Sequence, residues 1–164
     1  MPNADQANLL ATQAGSLLET DPAQAERLLQ QALTLDPYCG TAHNNLGTIA
    51  LQGLPPRKGP DLYSAAESFQ TASKLLPGRA DPRMNLGLVM ERAGRLQDAL
   101  DAYKSAIEAS PGHIPSMQAL TSLEVRLDKT NDQTRAHLQT IALQGTDDTW
   151  RNWAKNRLIR SDNP

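Results

Sequence analysis

The chain has 164 residues and a formal net charge of −2, and aromatic residues make up only 4% of it. The near-neutral charge argues against nucleic acid as the main partner, because phosphate binding requires a basic surface. No apolar run approaches the roughly 20 residues of a membrane-spanning helix. The single cysteine, Cys39, excludes an internal disulfide and a cysteine-based metal site. A core built from Leu and Ala predicts an all-α domain.

Three segments of the sequence end in proline and share one spacing of small and bulky residues. The shared positions are Ala25, Leu29, Ala32 and Pro37, then Ala65, Phe69, Ala72 and Pro77, then Ala99, Tyr103, Ala106 and Pro111. The prolines are 40 and then 34 residues apart. A period of this size indicates stacked helical hairpins.

In chain order, a weak repeat copy occupies about residues 4–37, followed by copies at 40–79 and 80–113. A degenerate copy follows at 114–145, and a last helix is predicted at 147–160. Asp21-Pro22 and Asp81-Pro82 both read as helix starts, with a capping acceptor before a proline. Thr146-Asp147-Asp148 reads as the start of the last helix, where acidic side chains face the positive helix end.

The first spacing between the prolines is the longer one because six residues are inserted in the second copy, in the segment 53–60. Three prolines and two glycines exclude a helix there. One interpretation is a tolerated surface insertion; the other is a second contact site that uses Arg57 and Lys58.

Residues 80–113 resemble a tetratricopeptide repeat. They carry Leu86-Gly87 in the first helix and Gly94 at the turn, and Leu46-Gly47 repeats the pair 40 residues earlier. The resemblance implies an α-solenoid of three to four helical hairpins plus a C-terminal capping helix, in one domain spanning residues 1–164. It also implies that Gly47 and Gly87 face the small Ala65 and Ala99 of the second helices.

In this family the first helix of each hairpin lines a concave groove that binds peptides. Transferred by the Leu-Gly register, the predicted groove residues are Asn44, Asn45, Thr48, Gln52, Asn85, Leu88, Arg92, Gln118, Ser122 and Arg126. Asn45 and Asn85 could hydrogen-bond the backbone of an extended peptide, or instead stabilise neighbouring hairpins. Arg92 and Arg126 could meet a carboxylate, or remain solvated.

The carboxylate clamp of heat-shock co-chaperones does not transfer to this chain. Thr48 stands where a clamp Asn belongs, Pro115 where a Lys belongs and Ala119 where the Arg belongs. His137 occupies the position of Phe69 and Tyr103 in the degenerate copy, so we expect a packing residue.

The last helix carries both tryptophans, Trp150 and Trp153, and reads as a terminal cap. Its basic residues are interpreted either as a solvated face or as a basic contact surface. They are Arg151, Lys155, Arg157 and Arg160.

The resemblance implies an adaptor that binds a peptide or partner segment in its groove, as part of a larger assembly. A dedicated small chaperone, similar to those of bacterial secretion systems, and a self-associating structural subunit are the alternatives. No phosphate loop, His-Glu-x-x-His or Gly-x-Ser-x-Gly motif occurs. We therefore expect a non-enzymatic protein with no catalytic residue, metal or cofactor, and with protein or peptide as its partner. Because the start MPNADQANLL lacks a basic and then an apolar segment, the expected localisation is cytoplasmic, or periplasmic if a signal peptide was removed.

Overall fold

The computed structural model describes residues 2–54 and 59–162, and the side chains of residues 3–54 and 59–160. Within those ranges the chain forms nine helices and no strand, so the predicted all-α class is confirmed. The helices are α1 (Pro2–Leu17), α2 (Pro22–Leu35), α3 (Gly40–Gln52), α4 (Leu62–Leu75), α5 (Asp81–Arg92), α6 (Leu96–Ala109), α7 (Ile114–Arg126), α8 (Asp132–Gln144) and α9 (Asp148–Asp162).

The helices pack as consecutive hairpins. α1 packs on α2, α3 on α4, α5 on α6 and α7 on α8, while each second helix also contacts the first helix of the next hairpin. α9 packs on α8 at the end of the stack. The predicted solenoid has three to four hairpins with a capping helix, and the described chain forms four.

The loop between α3 and α4 is held at both of its ends. Gly53 ends α3 in the left-handed conformation with φ 64°, which favours glycine. The Asp61 carboxylate caps α4 by accepting a hydrogen bond from the Ser64 amide, and the Asp61 amide donates to the Ala50 carbonyl at 2.8 Å. The predicted contact residues Arg57 and Lys58, with Pro55 and Pro56, lie outside the described residues.

Helices begin at all three predicted positions, but only two of them have the predicted carboxylate cap. The Asp21 carboxylate accepts from the Gln24 amide, and the Asp147 carboxylate accepts from the Trp150 amide, each at 2.9 Å. The prediction for Asp81 as a cap is wrong, because Asp81 is itself the first helical residue. Ala80 occupies the cap position in a helical conformation, and the Asp81 side chain pairs with Arg79 instead.

Each Leu-Gly glycine lies against an aromatic ring of its partner helix. A Cβ placed on Gly47 would lie 2.7 Å from Phe69 Cδ1, and one placed on Gly87 would overlap the Tyr103 ring still more closely. Both rings are completely buried. The expected contact with Ala65 and Ala99 is therefore corrected: the ring one turn further along the second helix is what meets the glycine.

The fourth hairpin replaces this glycine and ring by polar residues. Thr121 holds the glycine position and His137 the ring position, and both are buried. Neither Thr121 Oγ1 nor His137 Nδ1 has a hydrogen-bond partner in the described part of the chain. Burial lowers the pKa of His137, and the nearby Glu124 carboxylate partly opposes this shift.

α9 closes the open end of the fourth hairpin through apolar contacts. Ala154 is completely buried, and Trp150 and Trp153 pack against the cluster that contains Leu138 and Ile141 of α8. The two indole rings meet edge to face, with their centroids 5.3 Å apart. This geometry is favourable for aromatic pairs and makes α9 an integral layer of the core.

We expect Gly87→Leu to lower the free energy of unfolding by about 3 kcal/mol, near the upper end of the usual overpacking cost. The reason is that the new side chain must displace the buried Tyr103 ring. Gly78→Leu is the matched control, because a Cβ at exposed Gly78 would meet nothing within 4 Å. Urea unfolding measures both variants, and equal losses of stability would contradict this placement of Gly87.

We expect the free energy of unfolding of the wild-type protein to fall between pH 7.5 and pH 5.5. His137 keeps a lowered pKa in the folded state, whereas in the unfolded chain it takes up a proton near pH 6.5. Its contribution is therefore fully present above pH 6.5 and lost as the pH falls. His137→Phe, which restores the repeat pattern, should reduce this slope, and His43→Gln should keep it. Urea unfolding at the two pH values checks this, and equal slopes in the two variants would refute it.

Candidate functional site

The first helices of the hairpins form one continuous surface. α1 contacts α3, α3 contacts α5, and α5 contacts α7, in addition to the contacts within each hairpin. Helices that also contact the equivalent helices of neighbouring hairpins lie on the more crowded, inner side of a curved stack. All ten predicted groove residues come from α3, α5 and α7 of this layer.

A chain of asparagine amides crosses three of the first helices. Asn85 Nδ2 on α5 donates to Asn44 Oδ1 on α3 at 3.3 Å, and Asn44 Nδ2 lies 3.5 Å from Asn45 Oδ1. Asn45 Nδ2 then donates to the Ala11 carbonyl on α1 at 2.9 Å. Asn45 is buried, with 9% of its surface exposed. Asn45 and Asn85 are therefore equivalent in sequence but have different partners.

The two equivalent arginines also reach back to the preceding hairpin. Arg92 donates to the Leu51 carbonyl of α3 at 2.7 Å, and Arg126 pairs with Glu91 of α5 at 2.6 Å. The other Glu91 oxygen accepts from the Tyr103 hydroxyl at 2.9 Å. Burial, together with this hydrogen bond and the Glu91 charge, raises the pKa of Tyr103 well above its usual range, so the phenol stays protonated.

Gln118 is directed to the capping segment and is almost completely buried. Its Nε2 donates to Thr146 Oγ1 at 3.2 Å, and the Thr146 hydroxyl lies 3.4 Å from Gln118 Oε1. With 4% of its surface exposed, Gln118 links α7 to the residues that precede α9.

The remaining predicted groove residues are Thr48, Gln52, Ser122 and Leu88. The first three have no side-chain hydrogen bond to another helix of the described chain, and Leu88 is only partly buried. The Thr48 hydroxyl donates only within its own helix, to the Asn44 carbonyl. Gln52 is exposed and Ser122 is half-buried, and neither side chain forms a hydrogen bond within the described residues. Leu88 is half-buried between the clusters of the second and third hairpins.

A pocket of about 390 Å3 lies where α1 and α3 end, and the sequence reasoning missed one of its walls. Thr48 and Gln52 line it from α3, and Ser16 and Glu19 line it from the end of α1 and the following turn. The Leu-Gly register predicts no groove residue in α1, because its repeat copy lacks the Leu-Gly pair. The sequence signal for this wall is Gly15, a glycine within the first helix of its copy as Gly47 and Gly87 are; in the structure a Cβ there would lie 3.3 Å from Asn45 Nδ2.

The described residues contain no helix that is both long and apolar enough to span a bilayer. They also hold no group of three or more His, Cys, Asp or Glu side chains placed to share a metal ion.

A sequence model of the tetratricopeptide repeat matches residues 19–53 and 61–114, which is more than half of the chain. The chain belongs to the tetratricopeptide repeat family. Repeats of this family build binding surfaces for other proteins, which agrees with the continuous layer of first helices. The match ends at residue 114, so the fourth hairpin and α9 lie beyond it.

Solved structures share the fold at low sequence identity. Pseudomonas aeruginosa pilF is 16% identical, with 99% of this chain and 72% of that chain covered and a TM-score of 0.78. MamA is 23% identical, with 83% and 75% covered and a TM-score of 0.63. The first repeat domain of Spaghetti (RPAP3), solved with an HSP90 peptide, is 14% identical, with 76% and 95% covered and a TM-score of 0.63. No curated protein sequence matches the chain.

We expect Asn45→Ala to lower the free energy of unfolding by about 1–3 kcal/mol, because the buried Ala11 carbonyl loses its side-chain donor. Asn85→Ala is the matched control at the equivalent position, where the amide is only half-buried. Its cost should be the smaller of the two by urea unfolding. The reverse order would contradict the structural role of Asn45.

Proposed function

We propose that the chain binds an extended segment of a partner protein along its first helices, as an adaptor in a larger assembly. The observation that carries this proposal is a polar surface held in place by hydrogen bonds, at whose edge some polar side chains have no hydrogen-bond partner. The Asn85–Asn44–Asn45 amide chain holds three first helices in register. Unpaired Gln52 and Ser122 then supply donors and acceptors to an incoming backbone.

The hydrogen bonds within the chain divide the predicted groove residues into two roles. Asn45 and Gln118 are buried and hydrogen-bonded, so we assign them to holding helices together. Arg92 and Arg126 hold successive hairpins in register through Leu51 and Glu91. The residues that we propose as ligand contacts are Asn44, Thr48, Gln52, Asn85, Leu88 and Ser122.

The pocket between α1 and α3 suits one side chain of the bound segment. Its lining combines the hydroxyl of Thr48 and the amide of Gln52 with the apolar Leu18. A surface fixed before binding loses less entropy when a flexible segment docks on it. Half-buried Leu88 adds an apolar contact one hairpin further along.

An acidic chain terminus is not the ligand that we expect in this groove. The repeat domain of Spaghetti was solved with an HSP90 peptide, but here Thr48, Pro115 and Ala119 replace clamp residues of heat-shock co-chaperones. We therefore propose recognition through backbone hydrogen bonds and the Leu88 contact.

We expect peptides selected from a displayed library of random 12-residue sequences to bind the wild-type chain through this groove. The double variant Gln52→Ala with Ser122→Ala should weaken the selected peptides about tenfold, since it removes two hydrogen-bonding groups of about 0.5–1.5 kcal/mol each. Fluorescence anisotropy with labelled peptides measures the affinity.

The control variant is Tyr63→Ala, which removes an exposed side chain from α4, a second helix. Circular dichroism verifies that both variants keep their helicity. Peptides that bind the groove variant as tightly as the wild type, or that respond only to Tyr63→Ala, would overturn the proposed groove.

A further inference from the structure

A cavity of about 400 Å3 lies at the capped end of the stack, between the α7–α8 loop, the start of α8 and the last turns of α9. Val125 and Leu138 supply its apolar lining. Its volume falls within the range of about 300–1,000 Å3 that is typical of small-ligand pockets. None of the ten predicted groove residues lines it, so it is a second, separate concavity.

Three arginines and two aspartates line this cavity, and Arg135 is the one of these five that interacts within the chain. Arg157 and Arg160 come from α9, three residues apart and therefore on one face. Asp128 comes from the loop and Asp132 from the first turn of α8. No hydrogen bond or ion pair joins these four side chains to each other or to the part of the chain that the structure describes.

The two α9 arginines differ in this respect from the other arginines. Every other arginine in the described ranges interacts with a carboxylate, a carbonyl, an amide or another partner within the chain. Arg157 is half-buried and lines the cavity, so a ligand that enters the cavity can reach it. A ligand with a carboxylate would supply the missing acceptor.

The loop side of the cavity is held in a fixed conformation. Asp128 is left-handed with φ 55°, and the Lys129 amide donates to the Glu124 carbonyl at 2.9 Å. Asn131 and Thr134 cap α8 reciprocally, and the Thr134 hydroxyl donates to the buried Glu124 carboxylate at 2.8 Å. The two aspartates are thus displayed from a preorganised rim, which favours binding.

We propose that this cavity binds a short zwitterionic ligand, which carries both a carboxylate and a positively charged group as a short peptide does. Its carboxylate is held by Arg157 and Arg160, because guanidinium groups bind carboxylates through paired hydrogen bonds. Its positively charged group is held by Asp128 and Asp132. The two aspartates repel a simple polyanion such as phosphate. A free amino acid has the same carboxylate and cationic groups as a peptide, so it is a second ligand to test.

Calorimetric titration of the whole chain with the tripeptide Lys-Ala-Glu tests this site. The comparison ligands are its neutral-ended analogue Lys-Ala-Gln amide, free lysine and inorganic phosphate. We expect the tripeptide to bind and the analogue and phosphate to bind at least about tenfold more weakly, as expected when charge-assisted hydrogen bonds are lost. Free lysine that binds as tightly as the tripeptide would support the site and identify an amino acid as the source.

Variants assign the binding to the cavity. Arg157→Gln with Arg160→Gln, and separately Asp128→Asn, should each weaken the tripeptide, by about tenfold for the double variant. The charge-matched control is Lys155→Gln with Lys74→Gln, because both lysines are exposed and lie outside the cavity. If the double variant loses helicity, the exposed Arg160→Gln alone provides the test. Absence of tripeptide binding at millimolar concentration, equal binding of phosphate, or unchanged affinity in the arginine variant would overturn the proposal.

Discussion

The contact between a glycine and a buried ring fixes the spacing of each regular hairpin. Gly47 meets Phe69 and Gly87 meets Tyr103, and in both places the ring occupies the space that a side chain would need. Glycine costs a helix about 1 kcal/mol relative to alanine, and complete burial of an aromatic ring offsets more than that. Because the helices of a hairpin are set by this contact, the edges of successive first helices come close enough to share hydrogen bonds.

Long polar side chains then connect one hairpin to the next. Asn45, Asn85, Arg92 and Arg126 each reach a partner on the preceding first helix, at a sequence separation near one repeat. Glu91 joins two elements in this way, since it accepts from both Tyr103 of α6 and Arg126 of α7. The inner surface is therefore held in shape by some of the same residue types that the family uses to hold peptides. A ligand can therefore use the side chains outside this network and the atoms that the network leaves unused, such as Asn85 Oδ1.

The sequence predicts the helices far better than it predicts the partners of their polar groups. The spacing of Ala, bulky and Pro residues indicates the hairpins because the distance between packed helices depends strongly on the size of the side chains at the contact. The partner of Asn45 depends on where the Ala11 carbonyl of another hairpin lies, and no local pattern encodes this position. The same limit explains Asp81, whose Asp-Pro signal equals that of Asp21 although the preceding Ala80 is already helical.

The C-terminal end of the stack is built differently from the regular hairpins. In the fourth hairpin, Thr121 and His137 replace the glycine and the ring. Thr121 Oγ1 and His137 Nδ1 are buried and have no hydrogen-bond partner in the described chain. This contact between α7 and α8 stabilises its hairpin less than the Gly87–Tyr103 contact does, because unpaired buried polar atoms reduce stability. α9 compensates with the apolar surface of Trp150 and Trp153, which none of the other hairpins has. Leu158 continues that apolar contact, while Arg157 and Arg160 on either side of it line the cavity that faces the α7–α8 loop. The open end of the stack requires a cap, and the cavity lies beneath the last turns of that cap.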